Sequence, residues 1–139
     1  MTDEVVIRPV TSEDELAELA RVLAAQFPPR RSERTLPRLD RPLQLAALRD
    51  GVIVGGALAT TEDGAMKIEV IAMAPDARGK GAGLRLMAAL EAEAMRRGIG
   101  RVYLGGANDG NRGFYRRLGY SGRRSLMQKS LPRSRSGGQ

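Results

Sequence analysis

The 139-residue chain has no cysteine, no histidine and no tryptophan. Lack of cysteine excludes disulfides, thiol nucleophiles and thiolate metal sites, and lack of histidine excludes every mechanism that uses imidazole as base or ligand. Catalysis must therefore run on carboxylates, tyrosine, lysine, hydroxyls, backbone dipoles or water, and no metal is expected. Three tyrosines and two phenylalanines are too few for a base-stacking surface, which speaks against a nucleic-acid partner. Long apolar runs are missing too, so no segment is expected to cross a bilayer and no membrane partner is expected. The opening MTDEVVIRPV, Met1 to Val10, is acidic and then strand-like, unlike a secretory signal. These absences describe a cytoplasmic protein of single-domain size, long enough for one sizeable core.

Positive charge is what the chain has in excess: 23 Lys and Arg against 16 Asp and Glu, a net +7. Nearly all of it is arginine, densest at Arg30 to Arg41 and at Arg112 to Arg135. A GC-rich genome that writes arginine for lysine on a solvated surface accounts for this as well as attraction to a polyanion does.

Val5 to Val10 reads as a first strand ending at Pro9. Ser12 and Glu15 fit a capping box, and Leu16, Leu19, Leu23 and Phe27 then fall at helical spacing, predicting a helix over 13–27. Arg30 to Pro42 is a loop or a short irregular helix. Leu43–Leu48, Val52–Thr60 and Met66–Met73 are strand-like and joined by Asp50-Gly51 and Asp63-Gly64, each with the composition of a tight hairpin turn. Gly55-Gly56 predicts a bulge or a close approach in the middle strand. Leu84, Met87, Leu90 and Ala94 mark the buried face of a second helix over 82–97, with Arg85, Glu93 and Arg96 outside. A strand at Arg101–Leu104, a short helix at Asn111–Leu118 and a last strand at Ser125–Leu131 follow, before a polar tail, 132–139, expected to be disordered. The helix between strands 66–73 and 101–104 makes that central pair parallel with a right-handed crossover, whereas the meander before it argues against a doubly wound sheet.

Between that strand and that helix lies Arg78-Gly79-Lys80-Gly81-Ala82-Gly83. Three glycines at alternate positions leave backbone N–H groups bare at a helix N-terminus, a phosphate cradle or, more plainly, a flexible turn. The Walker spacing is not met, and the turn follows a meander rather than the early βαβ unit of a dinucleotide site. The segment does match the Arg/Gln-x-x-Gly-x-Gly/Ala pattern of the GNAT superfamily of acyl-CoA-dependent N-acyltransferases. Ile71-Ala72-Met73-Ala74-Pro75 resembles that family's fourth strand with its bulge and following proline. Asn108, Phe114-Tyr115 and Leu118-Gly119-Tyr120 resemble its C-terminal tyrosine motif, and Leu126 to Leu131 is similar to its final strand.

The resemblance implies an α/β (α+β-like) domain over 1–131: a mixed, mostly antiparallel sheet with a central parallel pair splayed around CoA and helices on both faces. It implies acetyl-CoA as co-substrate, its pyrophosphate on the N–H groups of Arg78, Gly79, Lys80, Gly81, Ala82 and Gly83, with Leu84 also a cofactor-binding residue. The pantetheine arm would pair with the strand at Ile71, Ala72 and Met73, with Met73 N–H facing the thioester oxygen. Asn108 is either a cofactor contact or a turn residue, and Lys80 meets phosphate or is free in water. Tyr115 takes the place of the general acid, or else packs as a buried aromatic. Glu69 is where many relatives carry the base, or else a surface residue facing Lys67. The acceptor amine, of a small molecule or a peptide, would lie near 27–41, whose arginines favour an acidic acceptor. A CoA-binding module without catalysis is the alternative, and a homodimer is compatible with either.

Overall fold

The computed structural model describes residues 4–26, 42–79, 81–107, 109–123 and 125–132. Strands β1 (Val6–Pro9), β2 (Pro42–Arg49), β3 (Val52–Glu62), β4 (Ala65–Met73), β5 (Arg101–Leu104), β6 (Ser121–Arg123) and β7 (Leu126–Ser130) form one sheet in the order β1-β2-β3-β4-β5-β7-β6. Only the β4–β5 pair is parallel, aligning Ala65 with Arg101 and Ile68 with Leu104. Helix α2 (Ala82–Arg96) makes that crossover, while α1 (Glu13–Ala24) and α3 (Arg112–Arg117) complete the fold. Both expected hairpin turns are present. Asp50 and Gly51, and likewise Asp63 and Gly64, take positive φ at both central positions, the geometry that follows the twist of the flanking strands.

The sheet divides the core in two. Leu19 and Leu23 of α1, fully buried, pack with Ala46, Leu48, Ile53 and Leu58 on one face. On the other, Leu86, Met87, Leu90 and Ala94 of α2 pack with Ala57, Met66, Ile68, Val102 and Met127. Burying a leucine stabilises by roughly 1.5–3 kcal/mol, so each helix is held mainly by this face. Ser12 caps α1 by accepting the Glu15 N–H at 3.1 Å. The Glu15 carboxylate reaches back one residue further than a capping box requires, accepting the N–H of Thr11 at 2.8 Å, and holds Arg8 of β1 at 2.6 Å.

Three expectations change. In α2 the buried leucine of the first two turns is Leu86, and Leu84 is half exposed, because the helix is rotated to turn Ala82, Leu86, Leu90 and Ala94 inward. The chain after α3 forms an additional strand, β6, all three residues of which are exposed. The final strand spans Leu126–Ser130. Helix α1 ends at Ala24; Phe27, the segment 28–41, Lys80, Asn108 and the tail from 133 lie outside the described residues. No helix among the described residues is long and apolar enough to cross a membrane.

Candidate active site

The site is organised by one extra residue in β4. Along the β3–β4 ladder Leu58 pairs with Val70 but Ala59 pairs with Ile68, so Glu69 has no opposite number. The interruption resets the two-residue alternation of the strand. Met66 and Ile68 face α2 before it, and Ile71 and Met73 face α2 after it, while Val70 and Ala72 turn toward α1. The resemblance had placed the irregularity within 71–75; it falls just before.

Beyond the bulge, β4 loses its neighbour. Pairing with β5 stops at Ile68 and Leu104, and β5 gives way to Gly105 and Gly106, around whose Cα atoms there is open space. On the other side β3 stays tight against β4: a Cβ on Gly55 would meet the Ala72 carbonyl at 2.5 Å, which is the close approach the paired glycines predicted. The Ala74 N–H donates to the Val54 carbonyl at 2.7 Å, so Val54 and Ala74 are a hydrogen-bonded pair. By the alternation of an antiparallel ladder, Ile71 and Met73 are then non-bonded pairs, and their N–H and C=O groups point to the open side. Part of that edge is taken. Met73 C=O accepts from Arg78 Nε at 2.9 Å.

The edge runs into a cleft of about 330 Å³, which Met73, Gly79, Gly81, Gly83, Leu84 and Phe114 help to line. Gly79 and Gly81 stand at φ +79° and +80°, left-handed values that other residues adopt only under strain. Gly81 is the N-cap of α2 and caps nothing through a side chain. The first bond inside the helix is Arg85 N–H to Gly81 C=O, at 3.1 Å, so the N–H groups of Ala82, Gly83 and Leu84 have no partner within the helix. Bare donors at the positive end of a helix, next to an unpaired strand edge, suit an extended ligand with a phosphate-rich end. Arg78 is differently used. Besides Met73 C=O, its guanidinium donates through Nη2 to Gln26 Oε1 at 3.1 Å, and its own N–H goes to Pro75 C=O.

Tyr115 lies on α3 beside Phe114, only 6% exposed, with ring centroids 5.2 Å apart. Among the described residues its hydroxyl has no hydrogen-bond partner and no buried side-chain polar atom is unpartnered, so the oxygen meets solvent at the edge of the core. Burial of the ring raises its pKa above the ordinary tyrosine value. Behind it stands Tyr120, whose hydroxyl donates to Glu91 at 2.8 Å; Lys129 Nζ donates to the same carboxylate at 3.0 Å. Asn111 sits at the N-cap of α3 but makes no side-chain cap; its amide reaches Gly106 C=O.

Glu69 is on the other face. Its carboxylate accepts from Thr60 Oγ1 at 3.2 Å and lies 3.7 Å from Lys67 Nζ, with about a fifth of the side chain exposed. Glu69 and Tyr115 thus flank the open edge of β4 from opposite sides of the sheet. Of the expected site residues, Ile71, Ala72, Met73, Arg78, Gly79, Gly81, Ala82, Gly83 and Leu84 form one continuous path along that edge and cleft. Gln26 and Thr60 were not among them. Each matters through a contact that sequence spacing does not mark. Among the described residues there is no cluster of acidic groups able to hold a metal ion.

A family model described as the acetyltransferase (GNAT) family matches residues 13–120. No curated protein matches the chain. Similar folds occur in the ribosomal-protein-S18-alanine N-acetyltransferase of Escherichia coli (TM-score 0.75, 17% identity, covering 94% of this chain and 96% of that one). They occur also in the PaiA N-acetyltransferase of Thermoplasma acidophilum in complex with coenzyme A (0.73, 18%, 92% and 99%). An acyl-CoA N-acyltransferase of Pseudomonas aeruginosa is similar to the same degree (0.75, 21%, 91% and 98%).

Proposed function

The chain belongs to the GNAT acetyltransferase family and is an acyltransferase, and from that premise we propose that it moves an acetyl group from acetyl-CoA directly to a primary amine. The observation that carries this reading is the unpaired edge of β4 at Ile71–Met73, continuous with the bare helix N-terminus at Gly81–Leu84. The N–H groups of the turn hold the diphosphate, and the strand edge takes the pantetheine arm through Ile71 and the N–H of Met73. Bound acetyl-CoA supplies the thioester.

The remaining steps fall to the protein. A protonated amine, with a pKa of about 10, cannot attack, so Glu69 takes its proton, directly or through a water. Met73 N–H donates to the carbonyl oxygen as negative charge grows on it, a contribution of about 10²–10³-fold in other enzymes. Tyr115 gives its proton to the departing thiolate. Base and acid on opposite faces of the sheet let amine and thiol meet the carbonyl from opposite sides. An acceptor bearing an acid group suits the five arginines within 30–41, a sequence argument only. A cytoplasmic setting goes with this reading, since a large charged thioester does not cross a membrane unaided.

The test is thiol release from acetyl-CoA against a panel of amines, amino acids and peptides. Turnover with one class assigns the acceptor. Tight CoA binding with no turnover across a broad panel would replace transfer with CoA sensing.

A further inference from the structure

Three hydrogen bonds join the last turn of α1 to the reacting end of β4. Gln26 Nε2 donates to Val22 C=O at 3.0 Å, which fixes the Gln26 amide against α1. Gln26 Oε1 accepts from Arg78 Nη2 at 3.1 Å, and Arg78 Nε donates to Met73 C=O at 2.9 Å. Met73 C=O faces the open side of the strand, so Arg78 completes a carbonyl that the sheet leaves unpaired. We propose that Arg78 and Gln26 are a pair of positioning residues that hold Met73, and so set the direction of its N–H toward the acyl oxygen.

The pair rests on the acyl-transfer reading, in which Met73 N–H is the donor to that oxygen. The C=O and N–H groups of Met73 lie on the peptide planes either side of one Cα: holding the Met73 carbonyl fixes ψ and so places the Met73 nitrogen, while the pairing of Ala72 with Gly56 holds the plane that carries its N–H. Two nitrogens of a planar guanidinium reach two acceptors in fixed directions, which a lysine could not reproduce. Arg78 lines the cleft, yet its fork points to the strand end and to α1.

Gln26→Leu, Arg78→Met and the double variant should be compared for CoA dissociation constant, kcat and both KM values. If the pair positions Met73, Gln26→Leu lowers kcat by about ten- to a hundredfold, the scale of a misplaced catalytic group. Its CoA dissociation constant stays within about twofold, and the double variant is no worse than Arg78→Met, because the two act as one unit. Gln26→Glu, which keeps an acceptor for Arg78, should recover most of kcat and separates positioning from loss of fold. Wild-type kcat in Gln26→Leu together with weakened CoA binding in Arg78→Met overturns the proposal, leaving Arg78 as a phosphate ligand. Failure of the wild-type protein to turn over any amine defeats the acyl-transfer reading instead. The pair is then read by hydrogen exchange of the Ala74 amide, whose bond to Val54 should open faster in Gln26→Leu; unchanged exchange overturns it.

Discussion

Tyr115 and Tyr120 meet edge to face, with ring centroids 6.0 Å and planes 66° apart, but among the described residues only Tyr120 has a partner for its hydroxyl. The Tyr120 hydroxyl is committed to Glu91, which Lys129 also holds, and burial together with that carboxylate pushes its pKa far up. Tyr115 is packed against the same ring with its oxygen unclaimed. Phe114, its neighbour on α3, lines the cleft, whereas Tyr115 is not among the lining residues.

Tyr115→Phe keeps the ring and its two edge contacts while removing the oxygen. Turnover should fall about 10²–10⁴-fold, in kcat and kcat/KM alike, with CoA affinity nearly unchanged. Since burial raises the Tyr115 pKa, the hydroxyl keeps its proton up to and beyond the usual tyrosine value of about 10. The wild-type rate profile should therefore show no alkaline fall below that pH. Wild-type kcat in the variant would make Tyr115 a packing residue.

Gly83→Asp separates binding from folding. The position is in the first turn of α2 with ordinary helical backbone, and a Cβ there would stand 3.7 Å from Phe114, a normal contact. An aspartate near the positive end of the helix stabilises it by about 0.3–1 kcal/mol. The same charge opposes a phosphate. The melting temperature without ligand should hold or rise, and the stabilisation by CoA, about 2.7 kcal/mol at a hundred times its dissociation constant, should disappear. A surviving CoA shift would remove the turn from the cofactor site.

Glu69→Gln should cost activity most at low pH, where the acceptor amine is protonated. As pH rises and free amine accumulates without help, the defect should shrink. A defect of constant size across the pH range would mean that Glu69 serves structure or acceptor binding rather than proton transfer.

Glu15 gives a stability prediction distant from the site. Hydrogen bonds from Arg8 and from Thr11 N–H lower its pKa to about 2. An unfolded glutamate titrates near 4.3, so the folded state holds the proton less tightly, and this contribution is present above roughly pH 4.3. It is lost as pH falls from there toward 2. Thermal melts from pH 6 to 2 should show Glu15→Gln converging on the wild type at the acid end; curves that stay parallel would remove the β1–α1 ion pair from acid unfolding.

What the sequence revealed about this fold came from residues with narrow conformational choices. Asp-Gly pairs placed both hairpins, and the alternating glycines placed the turn before α2, because few other residues accept those backbone angles. The buried face of α2 was misplaced by one leucine, since Leu84 is apolar on account of the cleft it lines and not the core. Strand β6 carries no alternation that could announce it: Ser121, Gly122 and Arg123 are all exposed and owe their conformation to pairing with β7. Gln26 and Arg78 are 52 positions apart, and nothing local in either hints at the other. The bulge at Glu69 did leave a trace, in that the polar-apolar alternation of Met66 to Glu69 gives way to the unbroken run Val70 to Met73.

That bulge puts Glu69 outside the count by which β4 pairs with β3. A substitution at Glu69 changes one side chain and leaves every later residue facing as before. Removing the residue would leave Ile68 and Val70 consecutive opposite Ala59 and Leu58, so Ile71 and Met73 would still face α2, and Val70 and Ala72 would still face α1. What would go is the bend and added twist that the extra residue gives the strand where it parts from β5. Position 69 therefore carries two separable pieces of information, a carboxylate and a kink: a substitution reads the first, and a deletion reads the second with the strand's facing kept.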